Sequence, residues 1–277
     1  MIAQDMPAAP LDRPADVQRI DVRGLSKSFQ LTGVAIEAVR DVSFRVQRGE
    51  FVALLGPSGS GKSTILNMIA TLVKPSGGQI LIDGMPVAFG KAMPNVGYVF
   101  QRDTLFPWRT MVANIGYGLQ LSGVSVADQK ARIAACVTQA GLQGFEEAYP
   151  SALSGGMRQR AALMRTLVVE PQILLMDEPF GALDTHTKID MHEFLLRIWE
   201  REQQTVLFVT HDLGEALTLA DRIILLSARP GQIKDIFEVN FARPRDAVKV
   251  RETPRYAELF QHIWHSLGEE FVKGRSA

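Results

Sequence analysis

The chain has 277 residues, of which 46% are apolar and 22% charged, and its 30 basic and 30 acidic side chains give a formal net charge of zero. This composition is typical of a globular protein and excludes the disordered and fibrous classes. A single cysteine excludes a disulfide-built secreted domain. The lack of a basic excess argues against a nucleic-acid partner. No apolar stretch is long enough to span a bilayer, so we expect no membrane-crossing segment.

The N-terminal segment is rich in proline and alanine. It lacks the basic start and the apolar core of an export signal. We therefore expect residues 1–18 to form a flexible arm and the protein to be cytoplasmic.

Strand and helix patterns alternate in the first hundred residues. Short strands are predicted over Ile20–Val22 and Val42–Val46, and the continuous apolar run Phe51–Leu55 predicts a strand buried on both faces. A glycine-rich turn follows. Apolar residues then recur at helical spacing over Ser63–Leu72, and a further strand is predicted over Gln79–Ile82.

The middle of the chain has a different pattern, because residues 102–165 are mostly helical in spacing. Strand patterns then return over Ile173–Met176, Val206–Val209 and Ile223–Leu226, with a helix pattern over Lys188–Arg201 between two of them. Buried strands that alternate with helices predict a parallel α/β sheet. The helical block is therefore interpreted as an insertion into that sheet.

A phosphate-binding motif follows the first buried strand. The pattern G-x-x-x-x-G-K-[ST] is matched by Gly56, Pro57, Ser58, Gly59, Ser60, Gly61, Lys62, Ser63 and Thr64. The glycines allow backbone N–H groups to surround phosphate oxygens, and the following helix directs its positive end at the same anion. We expect Lys62 to contact the β- and γ-phosphates of a nucleotide and Ser63 to bind Mg²⁺.

Two carboxylates stand at the end of the predicted strand Ile173–Met176. In proteins with this kind of phosphate-binding loop, a carboxylate in this place holds Mg²⁺, which is the role we expect for Asp177. Glu178 is then left facing the site, where it can polarise a water molecule. Without the upstream loop, a solvent-exposed acidic pair would explain the pattern equally well.

A second glycine-containing motif, Leu153–Gln159, precedes a helical pattern. Ser154 is a favourable N-cap residue and is followed by Gly155, Gly156 and Met157. This arrangement predicts a helix terminus that can bind an anion. Taken alone, the same pattern would favour a plain capped helix.

These three motifs, in this order, resemble the nucleotide-binding subunit of ATP-binding cassette (ABC) transporters. Leu153–Gln159 is similar to the signature motif of that family. Gln101 matches the Q-loop, Asp184 the D-loop and His211 the switch histidine. Phe29 stands where the family usually stacks a tyrosine or another aromatic residue on adenine.

The resemblance implies an ATPase in which two subunits pair head to tail as a homodimer, with ATP between them. The phosphate-binding loop of one subunit would face the residues of the signature motif in the other, which are Ser154, Gly155, Gly156 and Met157. It further implies that Glu178 orients or deprotonates the attacking water and that His211 contacts the γ-phosphate. Gln101 would sense Mg²⁺, and Asp184 would communicate across the dimer.

Two positions depart from the commonest family pattern. Met157 occupies a place where many members have glutamine, and Phe29 replaces the commoner tyrosine. We expect little loss from either change, because Ser154 and backbone groups carry the phosphate contact and because stacking requires the ring rather than the hydroxyl.

The same resemblance implies an α/β fold with a P-loop NTPase core built on a parallel sheet. It also implies an N-terminal antiparallel β subdomain and an inserted α-helical subdomain. We expect the ATPase domain to span residues 19–230, with the helical insertion at about 102–165. A C-terminal extension over 231–277, where the pattern weakens, would end in a helix near Tyr256–Val272.

Within the family, the segments Gln101–Met111, Leu153–Arg160 and Ser227–Gly231 are similar to those of importers of nitrate, sulfonates, taurine and related anions. The implied partners are transmembrane permease subunits and a substrate-binding protein, which would place the chain at the cytoplasmic face of a membrane. An importer of a thiamine-precursor-like pyrimidine remains an alternative, as does an ATPase of a lipoprotein-release or cell-wall system. ABC ATPases that act on ribosomes or DNA fit less well, because the chain has one phosphate-binding loop and no sustained heptads.

Several single residues allow two interpretations. Trp108 follows the Q-loop, where a contact with a membrane partner is favoured over core packing. The apolar face of the final helix is expected to pack on its own domain, with a dimer contact as the alternative. His262 and His265 are interpreted as part of a solvated helix face, and Cys136 as a small core residue.

Overall fold

The computed structural model describes residues 18–31, 34–91, 93 and 95–275. The predicted N-terminal arm, apart from its last residue, lies outside the described residues. The strands within these ranges are β1 (Gln18–Leu31), β2 (Val34–Gln47), β3 (Phe51–Leu55), β4 (Gly77–Ile82), β5 (Met85–Pro86), β6 (Val96–Val99), β7 (Ile173–Asp177), β8 (Thr205–Thr210), β9 (Arg222–Leu226) and β10 (Ile233–Glu238).

The α-helices in the same described ranges are α1 (Lys62–Ile69), α2 (Met111–Ile115), α3 (Tyr117–Leu121), α4 (Val126–Ala140), α5 (Gly155–Leu167), α6 (Thr185–Glu202), α7 (Leu213–Leu219) and α8 (Pro254–Arg275). Short 3₁₀ turns cover Pro150–Ala152 and Lys249–Glu252. No helix in the described part of the chain is long and apolar enough to span a membrane.

Two sheets organise the molecule. One is antiparallel, with the strand order β2-β1-β4-β5, and the other has the order β10-β9-β3-β8-β7-β6. In the second sheet β9, β3, β8, β7 and β6 run parallel, and β10 pairs antiparallel with β9 at the edge. The predicted α/β fold with a parallel sheet and an N-terminal antiparallel sheet is confirmed.

Strand β3 lies in the interior of the larger sheet, and all of its side chains are fully buried. Phe51, Ala53 and Leu55 contribute to one hydrophobic core, whereas Val52 and Leu54 contribute to the other. A strand with a core on each face must be apolar at every position, which explains the unbroken apolar run in the sequence. The phosphate-binding loop thus follows directly from a fully buried strand that is paired on both sides.

Helices α2 to α5 form the predicted insertion between β6 and β7. Helix α5 packs against α2, α4 and α6. Cys136 on α4 is half-buried against this core, and burial raises the pKa of its thiol to about 11. A thiol with so little thiolate at neutral pH has a packing role, as the sequence predicts.

Several elements differ from the sequence pattern. Strands β1 and β2 run well beyond the short strands predicted over Ile20–Val22 and Val42–Val46. Helix α1 ends at Ile69 rather than near Leu72, because Thr71 adopts a left-handed backbone with φ of 61°. Strand β10 was not indicated by the sequence. It is an edge strand whose side chains are largely exposed, and it therefore shows no apolar alternation.

The C-terminal helix α8 packs on its own domain, as predicted, and contacts α7. Its buried face consists of Tyr256, Leu259, Ile263 and Leu267. Trp264 is exposed and stacks on Phe260, with 5.9 Å between ring centroids.

His262 and His265 on α8 are both exposed, as expected for a solvated helix face. The ring of His262 meets the ring of Phe237 edge-on, with 5.5 Å between the centroids. Among the described residues there is no group of three or more side chains arranged to hold a metal ion. The structure thus gives His262 an aromatic contact with a neighbouring strand.

Candidate nucleotide site

The phosphate-binding loop joins β3 to α1 and requires glycine at specific points. Gly59 and Gly61 adopt positive φ values of 81° and 83°. A Cβ on Gly61 would lie 2.6 Å from the side chain of Val39 and 2.7 Å from the carbonyl oxygen of Ala38. The loop can therefore pass this closely to β2 only without a side chain at position 61.

The connection between β9 and β10 also supports this loop. Gly231 forms backbone hydrogen bonds with β2, since its N–H donates to Ala38 O and its carbonyl accepts from Arg40 N, both at 3.0 Å. A Cβ on Gly231 would overlap the carbonyl oxygen of Ser60 in the loop. Three distant parts of the sequence thus meet at the phosphate-binding loop.

Lys62 is almost fully buried, with 4% of its surface exposed. Its Nζ donates hydrogen bonds to the carbonyl oxygens of Gly56 at 2.9 Å and Pro57 at 3.0 Å. Burial lowers the pKa of this ammonium, and the carboxylates of Asp177 and Glu178 act in the opposite direction. The loop therefore holds a buried positive charge against two of its own carbonyl oxygens at the N-terminus of α1, and a helix N-terminus with a nearby ammonium is an arrangement suited to phosphate.

Asp177 lies next to the loop, at the end of β7. Its Oδ1 accepts a hydrogen bond from Ser63 Oγ at 2.7 Å. Tyr98 on β6 places its hydroxyl 3.4 Å from Asp177 Oδ2 and donates to Asn67 Oδ1 at 2.9 Å. Burial raises the pKa of Asp177 above its usual range. Sequence reasoning missed Tyr98 and Asn67, which carry no motif and meet Asp177 only through the sheet.

Glu178 and His211 form the next pair. Glu178 adopts a left-handed backbone with φ of 43°, and its N–H donates to Val209 O at 3.0 Å. This turn directs the side chain to His211, whose Nδ1 is 2.9 Å from Glu178 Oε2. The glutamate side chain is 17% exposed and the histidine side chain 49%. A carboxylate beside an imidazole at an open edge can accept a proton from water.

The signature residues form a separate group. Ser154 caps α5 by accepting a hydrogen bond from Met157 N at 3.3 Å. A Cβ on Gly156 would be 2.9 Å from Thr187 Cγ2, so the absence of a side chain lets α5 approach α6 closely. Asp184 caps α6 by accepting from the N–H groups of His186 and Thr187, each at 3.1 Å. The signature and the D-loop are therefore neighbours within one chain.

Phe29 and Gln101 also lie apart from the central group. Phe29 is 38% exposed on β1, and the ammonium of Lys27 lies 5.0 Å from the centre of its ring. Gln101 is exposed just after β6. Among the described residues, no hydrogen bond or ion pair connects Phe29, Gln101 or Ser154 to the phosphate-binding loop. Within the described residues, the chain thus links Lys62 and Ser63 to Asp177 and Glu178, and Glu178 to His211, through direct contacts or electrostatic interactions.

Comparison with known proteins identifies the family. The model for the family described as ABC transporter matches residues 39–181. An ABC transporter ATP-binding protein of Methanocaldococcus jannaschii, whose function is uncharacterised, is 42% identical over 255 residues, which cover 92% of this chain and 93% of the relative. The chain is an ATP-binding subunit of the ABC transporter family.

Two further matches bear on this ABC ATPase. The aliphatic sulfonates import ATP-binding protein SsuB of Bacillus cereus is 39% identical over 255 residues, covering 92% of this chain and 96% of SsuB. The dimeric post-hydrolysis state of the ATP-binding cassette MJ0796, bound to ADP and Pi, superposes with a TM-score of 0.71 at 31% identity. It covers 80% of this chain and 99% of that cassette. The chain hydrolyses ATP.

The exposed ring of Phe29 gives a direct test of the adenine pocket. We expect Phe29→Ala to weaken ATP binding at least fivefold, since stacking on an aromatic ring contributes roughly 1–3 kcal/mol per base. Phe29→Tyr should bind ATP normally, because it keeps the ring. Equilibrium binding of a fluorescent ATP analogue measures both effects. Phe145→Ala is a matched control, with 41% exposure at Phe145 against 38% at Phe29; an equal affinity of the two alanine variants would remove Phe29 from the pocket.

Proposed function

We propose that this ABC ATPase powers the import of a sulfonate or of a related small anion such as nitrate or taurine. The observation that carries the proposal is the 39% identity to SsuB, which extends over 92% of this chain and 96% of that importer subunit. The similarity includes the C-terminal extension as well as the nucleotide site. We infer that a chain similar to SsuB over almost its whole length drives transport through a membrane permease, as an importer subunit does.

The proposed catalytic unit is a homodimer with two composite sites. Each site combines the phosphate-binding loop, Glu178 and His211 of one subunit with Ser154 to Met157 of the other. The distribution of residues within one chain supports this arrangement, because the capped terminus of α5 contacts α6 and not the loop. A helix N-terminus supplied by the second subunit would complete the electrostatic enclosure of the γ-phosphate.

Within each site we propose that Ser63 and Asp177 hold Mg²⁺, with Gln101 as a third oxygen donor. Hydroxyl, carboxylate and amide oxygens are the ligands that Mg²⁺ prefers. The two oxygens of Ser63 and Asp177 lie 2.7 Å apart, and burial raises the pKa of Asp177, so a cation would be favoured beside this carboxylate. When bound, Mg²⁺ neutralises negative charge on the phosphates.

The proposed contact with the permease is centred on Trp108, which is 71% exposed in the helical insertion. The loop that carries it is held rigidly by the fully buried Asn114, whose side chain bonds to backbone groups of Phe106 and Arg109 at 2.7–3.1 Å. The Trp108 ring also packs on Phe106, with 5.5 Å between centroids. A large, exposed and pre-ordered aromatic residue is suited to the centre of an interface.

Purification from membranes of the source organism tests this function. We expect tagged chain carrying Glu178→Gln to retain multi-span permease subunits in detergent, as a subunit attached to the cytoplasmic face of that membrane would. A substrate-binding protein that belongs with the permease should then bind sulfonates, nitrate or taurine in calorimetry. Trp108→Ala should lose the permease, whereas the matched variant Trp264→Ala should keep it.

The other outcomes each contradict part of the proposal. Selective binding of a thiamine-precursor-like pyrimidine would replace the anion as cargo. Recovery of lipoprotein-release or cell-wall components, or of ribosomes or DNA, would overturn the importer assignment and leave the ATPase chemistry unchanged. Equal permease recovery with the two tryptophan variants would remove Trp108 from the interface.

A further inference from the structure

The segment that presents His211 is fixed from behind by a buried hydroxyl. Thr210, the last residue of β8, is 1% exposed. Its Oγ1 accepts a hydrogen bond from Asp212 N at 3.0 Å and donates to Glu215 Oε2 at 2.6 Å. This hydroxyl therefore both accepts and donates a hydrogen bond, and its two partners follow His211 in the chain. The direction in which the histidine leaves the strand depends on them.

Glu215 is the anchor of this arrangement. It lies on α7 and is 3% exposed. Asp212 Oδ1 caps the same helix by accepting from the N–H groups of Gly214 and Glu215 at 2.8 and 3.2 Å. A buried carboxylate is costly unless it is paired and hydrogen-bonded. Burial of Glu215 therefore requires a positively charged partner nearby.

The partner of Glu215 comes from α6. Lys188 places its Nζ 3.2 Å from Glu215 Oε1 and 3.7 Å from Asp212 Oδ2. The backbone N–H of Lys188 donates to the carbonyl oxygen of Asp184 at 2.9 Å, so Lys188 lies in the first turn after the D-loop residue. One turn later, His192 Nε2 is 3.9 Å from Glu215 Oε1. Two rigid elements are thus joined through one carboxylate.

We propose that Glu215 is a positioning residue of ATP hydrolysis, which acts through the Thr210 hydroxyl to hold His211 against Glu178 and through Lys188 to join this segment to the helix that begins after Asp184. The inference rests on the proposed roles of Glu178 and His211. Thr210 and Glu215 are both buried, and their side chains contact Asp212, Lys188 and each other. Their proposed effect is on the orientation of Glu178 and His211, and a small misplacement of such a pair is costly to the rate.

The Thr210 hydroxyl gives the sharpest test. Thr210→Val keeps the shape of the side chain and removes both hydrogen bonds, whereas Thr210→Ser keeps the hydroxyl. Steady-state phosphate release by the full chain should show kcat at least tenfold lower for Thr210→Val, with KM for ATP within twofold of the unsubstituted protein. Thr210→Ser should retain kcat within threefold. A role limited to stability would not divide kcat from KM in this way.

Strand β8 supplies a matched control. Thr205, at its other end, is also 1% exposed, and its hydroxyl accepts from Gly49 N at 3.0 Å, far along the strand from His211. Thr205→Val should therefore leave kcat unchanged while removing a buried hydroxyl of the same kind. The proposal is overturned if Thr210→Val and Thr205→Val have equal kcat, or if Thr210→Ser loses as much activity as Thr210→Val.

The link to α6 is tested by a double-mutant cycle. Glu215→Gln removes the negative partner of the ion pair and Lys188→Met removes the positive partner. The double variant removes both. If the two residues act as one unit, we expect kcat of the double variant to be no lower than kcat of the less active single variant. Independent, multiplying losses would overturn the link through Lys188. Glu215→Gln also keeps the proposal testable if Thr210→Val does not fold.

His211→Ala and Glu178→Gln separate this inference from the proposed site. If both variants keep full activity, the proposed catalytic pair is wrong. If both lose activity while Thr210→Val and Glu215→Gln do not, the pair stands and only the positioning role of Glu215 fails.

Discussion

Glu178→Gln is expected to bind ATP and to hydrolyse it about 10²- to 10⁴-fold more slowly, which is the usual contribution of a general base. Glutamine has nearly the same shape, so the backbone turn at position 178 and the contact with His211 can be kept. It cannot accept a proton, however. Phosphate release gives the rate, and binding of a fluorescent ATP analogue gives the affinity.

The same variant should accumulate as an ATP-bound dimer, because closure no longer leads to hydrolysis. Size-exclusion chromatography with and without ATP measures this change. Glu258→Gln is a matched control, since Glu258 is an exposed glutamate on α8. Full ATPase activity of Glu178→Gln would exclude the proposed base, and a monomer at saturating ATP would contradict the composite site.

Lys62→Ala is expected to abolish hydrolysis and to weaken ATP binding strongly. Loss of a single donor to the charge that develops in a transition state typically costs about 10²–10³ in kcat. Lys62 also donates to Gly56 O and Pro57 O, so the substitution removes two bonds that hold the loop itself. The effect should therefore exceed that of a simple phosphate ligand.

Thermal unfolding with increasing ATP measures the binding defect, since a ligand that binds only the folded state stabilises it by RT ln(1 + [L]/Kd). The unsubstituted chain should show a rising melting temperature, and Lys62→Ala should show none at the same ATP concentrations. Lys249→Ala replaces an exposed lysine and serves as the control. Wild-type ATPase activity in Lys62→Ala would exclude the loop as the nucleotide site.

The central site could be predicted because its signals are local. The phosphate-binding motif occupies consecutive residues between a buried strand and a helix, and Asp177 directly follows another buried strand. The insertion followed from the helical spacing of residues 102–165, and the antiparallel sheet followed from the resemblance to the ABC family. Strand β10 was missed because an edge strand with exposed polar residues shows neither helical nor strand periodicity.

Contacts between distant residues could not be predicted. Tyr98 meets Asp177 because β6 and β7 are neighbours in the sheet, and no spacing in the sequence indicates that pairing. Glu215 and Lys188 belong to no motif in the sequence, yet they form an ion pair in the folded chain. Their partners come from different helices, and only the packed fold brings them together.

The contact of Gly231 with the phosphate-binding loop also fixes when this site can form during synthesis. Gly231, which closes against Ser60 and Ala38, is synthesised long after the loop itself. At roughly 5–20 residues per second, this interval lasts on the order of ten seconds or more. During this interval the nascent chain contains the complete phosphate-binding motif but not the Gly231 segment that packs against it. The loop therefore gains the support of Gly231 only after the two central strands β7 and β8, which lie between them in the sequence, have been synthesised.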